Sequence, residues 1–165
     1  MKKCLYFICP TDFLETVING AFNQENYYLS SLGNSITFDN QILKETKKLI
    51  REKNIDELIF VLSNENRIVL DALRNQHFSM IRGLNKFYKQ VVWQQEQIER
   101  SWQTRNPQLL TFSYHLNNKI RELKHGLKDL TKDQIKISGK IYNNRKHVFS
   151  KIYPDSICMD DSNLN

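Results

Sequence analysis

Five polar residues, Ser63, Asn64, Glu65, Asn66 and Arg67, stand in a row between the apolar run Leu58–Leu62 and a helix-like run ending at Leu73. The carboxyl end of a buried strand is where open α/β proteins collect ligands and catalytic groups. The chemistry on offer is narrow, since the turn holds no Cys, no His and no glycine-rich phosphate cradle. Ser63 or Asn64 is expected to cap the following helix through a side-chain oxygen, and Glu65 suits the positive end of its dipole. A second strand end carries Cys9, with Asp12 beyond Pro10. A thiol there is either a small buried hydrophobe or a nucleophile. His77, His115, His125 and His147 are far apart and form no i, i+4 ligand pair, so surface or helix-end positions are expected for them. The patterns G-x-S-x-G, G-x-G-x-x-G and the P-loop are absent.

These groups must be positioned by a fold of modest size. The chain has 165 residues, of which 40% are hydrophobic and 25% charged, enough for one domain with a real core. Leu5–Ile8, Tyr27–Leu32 and Leu58–Leu62 read as strands. Between them, Asp12 is expected to cap a helix to about Asn19, with Phe13, Leu14, Val17 and Ile18 as its buried stripe. Asp39 is expected to cap another to about Glu52, with a basic outer face. The order β-α-β-α-β implies a largely parallel sheet with helical crossovers. From Glu65 the pattern is helical, through Phe78, Ile81, Leu84, Tyr88 and Val91. Pro107 then breaks it before a second run from Leu109 to Leu130. Ile135–Tyr142 and Val148–Tyr153, joined through Asn143 and Asn144, read as a β-hairpin. The fold class is therefore α/β, a mostly parallel central sheet with flanking helices and a C-terminal β-hairpin. One domain is expected over 1–154, followed by a disordered acidic tail over 155–165.

Other readings concern partners. No apolar run is long enough to span a bilayer, and Cys4–Cys9 is too short for a signal-peptide core, so no membrane association and a cytoplasmic location are expected. Cys4, Cys9 and Cys158 make an odd set without C-x-x-C spacing, which suits reduced thiols. The net charge is +6, and His115–Lys151 holds ten Lys or Arg against three Asp or Glu. That segment is either a solvated helix face or a surface for nucleic acid or another polyanion. Trp93 and Trp102, with Phe87 and Tyr88 upstream among Arg82, Lys86, Lys89 and Arg100, fit core or oligomer contacts or a stacking platform for single strands. With Gln94, Gln95 and Gln97 beside them, an interface such as a homodimer contact is also open.

The order of elements resembles the β-class carbonic anhydrases. FICPTD (Phe7–Asp12) is similar to that family's strand ending in Cys-x-Asp-x-Arg. SSLGNS (Ser30–Ser35) shares a Gly-Asn pair, Gly33 and Asn34, with its Arg-Asn-Ala-Gly-Asn segment. LIFVLSNENRIVLDAL takes the place of an apolar strand, Gly-His-x-x-Cys-Gly and a helix. HLNNKIREL and IKISGKIYNNRKHVFSKIYP are similar to the late helix and closing Gly-x-x-Tyr hairpin, through Gly139 and Tyr142.

The resemblance implies a zinc site of two Cys and one His, but the matching positions depart from it. Cys9 stands for the first Cys, Asn64 for the His and Arg67 for the second Cys. An amide is a poor zinc ligand and a guanidinium cannot be one. Asp12 comes three residues after Cys9 rather than two, with no Arg close behind, and the family's N-terminal helical arm has no counterpart. The expectation is no cofactor and no CO₂ hydration. The candidate pocket is Cys9, Asp12, Gly33, Asn34, Ser63, Asn64, Glu65 and Arg67. Within it, Arg67 either pairs with Asp12 or Glu65 in place of a metal, leaving room for a small anion, or points to solvent. The leading functional expectation is a non-catalytic carbonic-anhydrase-like protein kept for binding or assembly. The alternatives are residual or metal-free catalysis at the strand-end pocket, and polyanion binding through residues 115–151.

Overall fold

The computed structural model describes residues 1–101, 106–130 and 135–154. Strand β1 (Lys3–Ile8) leads through a 3-10 turn (Pro10–Asp12) into helix α1 (Glu15–Ala21). Strand β2 (Glu25–Ser30), helix α2 (Asn40–Lys53) and strand β3 (Glu57–Ser63) follow. Then come α3 (Arg67–Leu73), α4 (Leu84–Ser101), α5 (Pro107–Gly126), β4 (Lys136–Asn143) and β5 (Val148–Lys151). The strands form one sheet in the order β2-β1-β3-β4-β5. All pairs are parallel except the β4–β5 hairpin. The α/β fold class with its C-terminal hairpin is thus the one expected.

The period-2 alternation of the strands divides the interior in two. Leu5, Phe7 and Cys9 of the first strand region, with Leu58, Phe60 and Leu62 of β3, face one side. There they meet Ile50, Ile68, Val69, Phe87, Val91, Phe112 and Leu116 of the helices. Cys4, Tyr6, Ile8, Ile59 and Val61 face the other side, covered by Leu14, just before α1, and Ile18 within it. The phenyl rings of Phe7 and Phe60 stack at 4.4 Å in the centre of the larger layer. Helix α2 begins as its sequence dictates, with Asp39 Oδ1 accepting the Ile42 N–H at 2.9 Å.

Three local expectations are corrected. Asp12 caps no helix: the residue before α1 is Leu14, without a side-chain cap, and Phe13 is left-handed and 77% exposed. Only Leu14 and Ile18 of the expected stripe are buried. Second, the run through Phe78 and Ile81 is not one helix. Asp71 accepts the backbone N–H groups of His77 and Phe78 at 3.0 Å each, and the Tyr88 hydroxyl at 2.5 Å. A side chain that binds backbone amides competes with helical bonding, so α3 stops at Leu73 and Phe78 and Ile81 emerge exposed before α4. Third, the aromatic group read together as core, oligomer contact or stacking platform divides: Phe87 and Tyr88 are core, whereas Trp93 of α4 is exposed. Trp102, Cys158 and the expected tail lie outside the described residues.

Candidate functional site

Parallel order places the ends of β1 and β3 side by side, and with them the turns after Ile8 and Ser63. The Asp12 carboxylate bridges those turns. Its Oδ2 accepts the Ser63 N–H and its Oδ1 accepts from Asn66 Nδ2, both at 2.8 Å. Withdrawal from water pushes the Asp12 carboxyl up to about 6, with the two hydrogen bonds pulling the other way. Asn66, wholly buried, also caps α3, its Oδ1 accepting the Val69 N–H at 2.9 Å. The N-cap is therefore Asn66, not Ser63 or Asn64. Ser63 Oγ instead accepts the Glu65 N–H at 3.1 Å and donates to Asn144 Oδ1 at 3.0 Å. Asn64 Oδ1 accepts the Asn144 N–H at 3.1 Å. Both therefore tie the β3 end to the hairpin turn.

Cys9 is buried, as the small-hydrophobe reading has it. Its Sγ accepts the Gly33 N–H and shares a hydrogen bond with Thr11 Oγ1, both at 3.1 Å. Gly33 has φ +63°, and a Cβ there would lie 2.9 Å from the Phe87 ring and 3.1 Å from Ile68. Only glycine fits such a left-handed, crowded position. Asn34 reaches back over the sheet, donating from Nδ2 to the carbonyls of Phe7 (3.2 Å) and Val61 (2.9 Å), while its buried Oδ1 has no partner.

The structure thus gathers Cys9, Asp12, Gly33, Asn34 and Ser63 around the β1 and β3 ends. Arg67 and Glu65 are not joined to each other or to Asp12. Arg67 is exposed, with no ion pair among the described residues, and Glu65 Oε1 lies 3.5 Å from Arg145 Nε. Of the two readings of Arg67 the structure shows the solvent-facing one, and the Asp12 carboxylate is met by Asn66 instead. Neighbouring helical residues diverge by about 100°, so the position facing the site is 66 and the one facing water is 67. His115 corrects the histidine expectation. It is buried in α5, its Nε2 donating to Gly33 O at 2.9 Å beside the Phe87 ring. Burial, aided by Lys119, lowers its pKa to about 4, so it is neutral at neutral pH. His77, His125 and His147 are exposed. Nothing in the sequence around His115 or Asn66 signalled these long-range roles.

Within 115–151, the segment read as either a solvated face or a polyanion surface, four of the cations are engaged within the chain. Lys119 is buried and bonds Ile36 O and Glu122, Lys136 pairs with Glu57, Arg145 with Glu65, and Lys140 lies over Phe22. No helix among the described residues is long and apolar enough to cross a membrane.

No family model and no curated protein matches the chain. Solved structures do. The β-carbonic anhydrase CafA of Aspergillus fumigatus superposes with a TM-score of 0.70 at 13% identity, covering 97% of this chain and 81% of that one. A tetrameric β-carbonic anhydrase of Sordaria macrospora gives 0.72 at 9% identity, covering 93% and 81%. The Coccomyxa enzyme in complex with acetazolamide gives 0.70 at 9%, covering 99% and 85%. The fold is that of the β-carbonic anhydrases. The zinc implied by that fold does not fit the residues present. Among the described residues no three His, Cys, Asp or Glu side chains gather as a metal-binding group. At the strand ends only Cys9 offers a soft ligand, while Asn66 spends its carbonyl on the helix cap and its amide on Asp12.

Proposed function

We propose that this chain is a carbonic-anhydrase-fold protein that acts by binding or assembly and does not hydrate CO₂. The observation that carries the reading is the Asp12 bridge. A carboxylate whose two oxygens accept from Ser63 and Asn66 closes the strand ends with the chain's own groups. Those oxygens are already taken up by the chain's own donors, and Asn64 and Arg67 supply no ligand chemistry that would bind a metal. Without a metal to lower the pKa of a bound water, hydration loses its nucleophile at neutral pH. The natural assembly partner is a second copy, since one matched enzyme is described as tetrameric.

The test is CO₂ hydration by stopped flow, on protein purified without chelators and again after incubation with excess zinc. Rates indistinguishable from buffer in both samples are expected. Zinc-dependent turnover would overturn the reading. Sedimentation at several concentrations checks assembly, with a dimer or larger species expected and a strict monomer counting against it.

A further inference from the structure

Helix α4 turns Leu84, Phe87, Tyr88, Val91 and Ile98 into the protein and leaves its other side to water. At 100° per residue, Asn85, Lys89, Val92, Trp93 and Glu96 share that outer side. They line one groove together with Gln76 and Ser79 of the segment after α3. Large apolar side chains gather in the same stretch. Seven are exposed among the described residues, and four of them, Phe78, Met80, Ile81 and Trp93, lie on α4 or on the segment leading into it. Trp93 is 53% exposed. A half-exposed tryptophan with a valine beside it and charges at either end has the make-up of an interface centre and its rim.

The two charges on this face are unused within the chain. Lys89 and Glu96 are exposed and make no ion pair among the described residues. At 1.5 Å per residue they stand about 10 Å apart along the helix, too far to meet each other. Their midpoint falls between Val92 and Trp93. A two-fold axis across the helix at that midpoint lays a second α4 antiparallel on the first. Lys89 then stands level with the partner's Glu96, and Glu96 with the partner's Lys89. At the axis Val92 meets the partner's Val92 and Trp93 meets the partner's Trp93. A two-fold contact must be complementary to itself, and this face is so in both charge and apolar surface. A parallel pairing would instead set lysine on lysine and glutamate on glutamate.

We propose that the outer face of α4 is the contact through which two copies of this chain associate, antiparallel about a two-fold axis between Val92 and Trp93, with a Lys89–Glu96 pair on each side of it. The proposal rests on the assembly reading above and says where that assembly is made. The apolar groups at the axis supply the affinity as they leave water. The two charge pairs fix the direction of pairing and exclude the parallel one. Lys89 and Glu96 touch neither the core nor the strand ends, so exchanging them leaves the fold of each chain unchanged.

The experiment is sedimentation equilibrium of the full chain over a range of concentrations. It compares wild type, Lys89→Glu, Glu96→Lys, the double variant and an equal mixture of the two single variants. Each single variant sets like charges against each other on both sides of the axis, and is expected to weaken association by about tenfold or more. The double variant restores opposite charges and is expected to associate as wild type does. The mixture joins a chain with glutamate at both positions to one with lysine at both, and is expected to form a heterodimer. Trp93→Ala is expected to cost about tenfold or more, as the loss of a central aromatic anchor does. Association of wild type that neither single variant weakens overturns this contact and leaves the assembly reading standing. Weakening that the double variant does not recover overturns the antiparallel register. A wild-type chain that stays monomeric at every concentration overturns both the contact and the assembly reading, and marks the face for an unlike partner.

Discussion

The ends of β1 and β3 and the groove between α4 and α5, lined by Trp93, Gln94 and Tyr114, are both polar clusters, and they differ in how their charged and aromatic groups are placed. At the strand ends the charged group is consumed internally: Asp12 meets Ser63 and Asn66, and Cys9 meets Gly33 and Thr11. Each cluster keeps one buried acceptor without a partner, Asn34 Oδ1 at the strand ends and Gln94 Oε1 beside the groove, but the groove also exposes the Trp93 ring. The difference teaches that the place where a fold usually does its chemistry can be tied up by a chain's own side chains, while large apolar surface is left exposed elsewhere. His115 joins the two regions. It lines the groove and hydrogen-bonds Gly33, whose amide in turn reaches Cys9.

The comparison breaks most readily at Gly33. Gly33→Val forces a branched side chain into φ +63° against Phe87 and Ile68. The expected loss in urea unfolding is about 3–4 kcal/mol, combining overpacking and backbone strain. A loss under about 1 kcal/mol would mean that the close approach is not needed.

Two buried titrations oppose each other. Asp12 has a pKa of about 6 against an ordinary 3.8, so the folded state holds a proton that the unfolded chain has released. Its contribution makes stability fall as pH rises from about 4 to 6. His115 has about 4 against an ordinary 6.5, so between those values the unfolded chain holds the extra proton, and its contribution rises with pH. Each is worth about 3 kcal/mol at 1.36 kcal/mol per unit, and in the intact protein they largely cancel over that window. Relative to wild type, Asp12→Asn is expected to tilt stability upward with pH between 4 and 6.5, and His115→Gln to tilt it downward. Equal tilts in both variants would show that neither group is held as described.

Asn66→Ala removes a helix cap and leaves one Asp12 oxygen unpaired, with an expected cost of about 2–3 kcal/mol in thermal or urea melts. Arg67→Ala, one residue away, is expected to change stability by no more than about 0.5 kcal/mol. If the larger effect fell on Arg67, the original metal-substitute pair would return and the Asp12–Asn66 bridge would fall.

Much of the fold was legible because its signals are local. The apolar runs of β1 and β3, the Asp39 cap of α2, Pro107 at the start of α5 and the Asn-rich hairpin turn each need only their neighbours. The misread parts depend on distant partners. Asp12 looked like a helix cap because its true partners, Ser63 and Asn66, lie 51 and 54 residues away. Phe78 and Ile81 kept a helical period, but Asp71 captured the backbone amides that would have continued α3. The candidate site was right about where the strands end and one residue off on α3. That step exchanged a buried amide for an exposed guanidinium, and periodicity cannot resolve it.

The most direct measurement is a zinc count on chelator-free, tag-free protein after equilibration with excess zinc and desalting. The expected result is less than about 0.1 zinc per chain, because the strand ends present amide and carboxylate groups already bonded to one another. One zinc per chain, lost on Cys9→Ala, would contradict the closed strand end and restore a metal site to this fold.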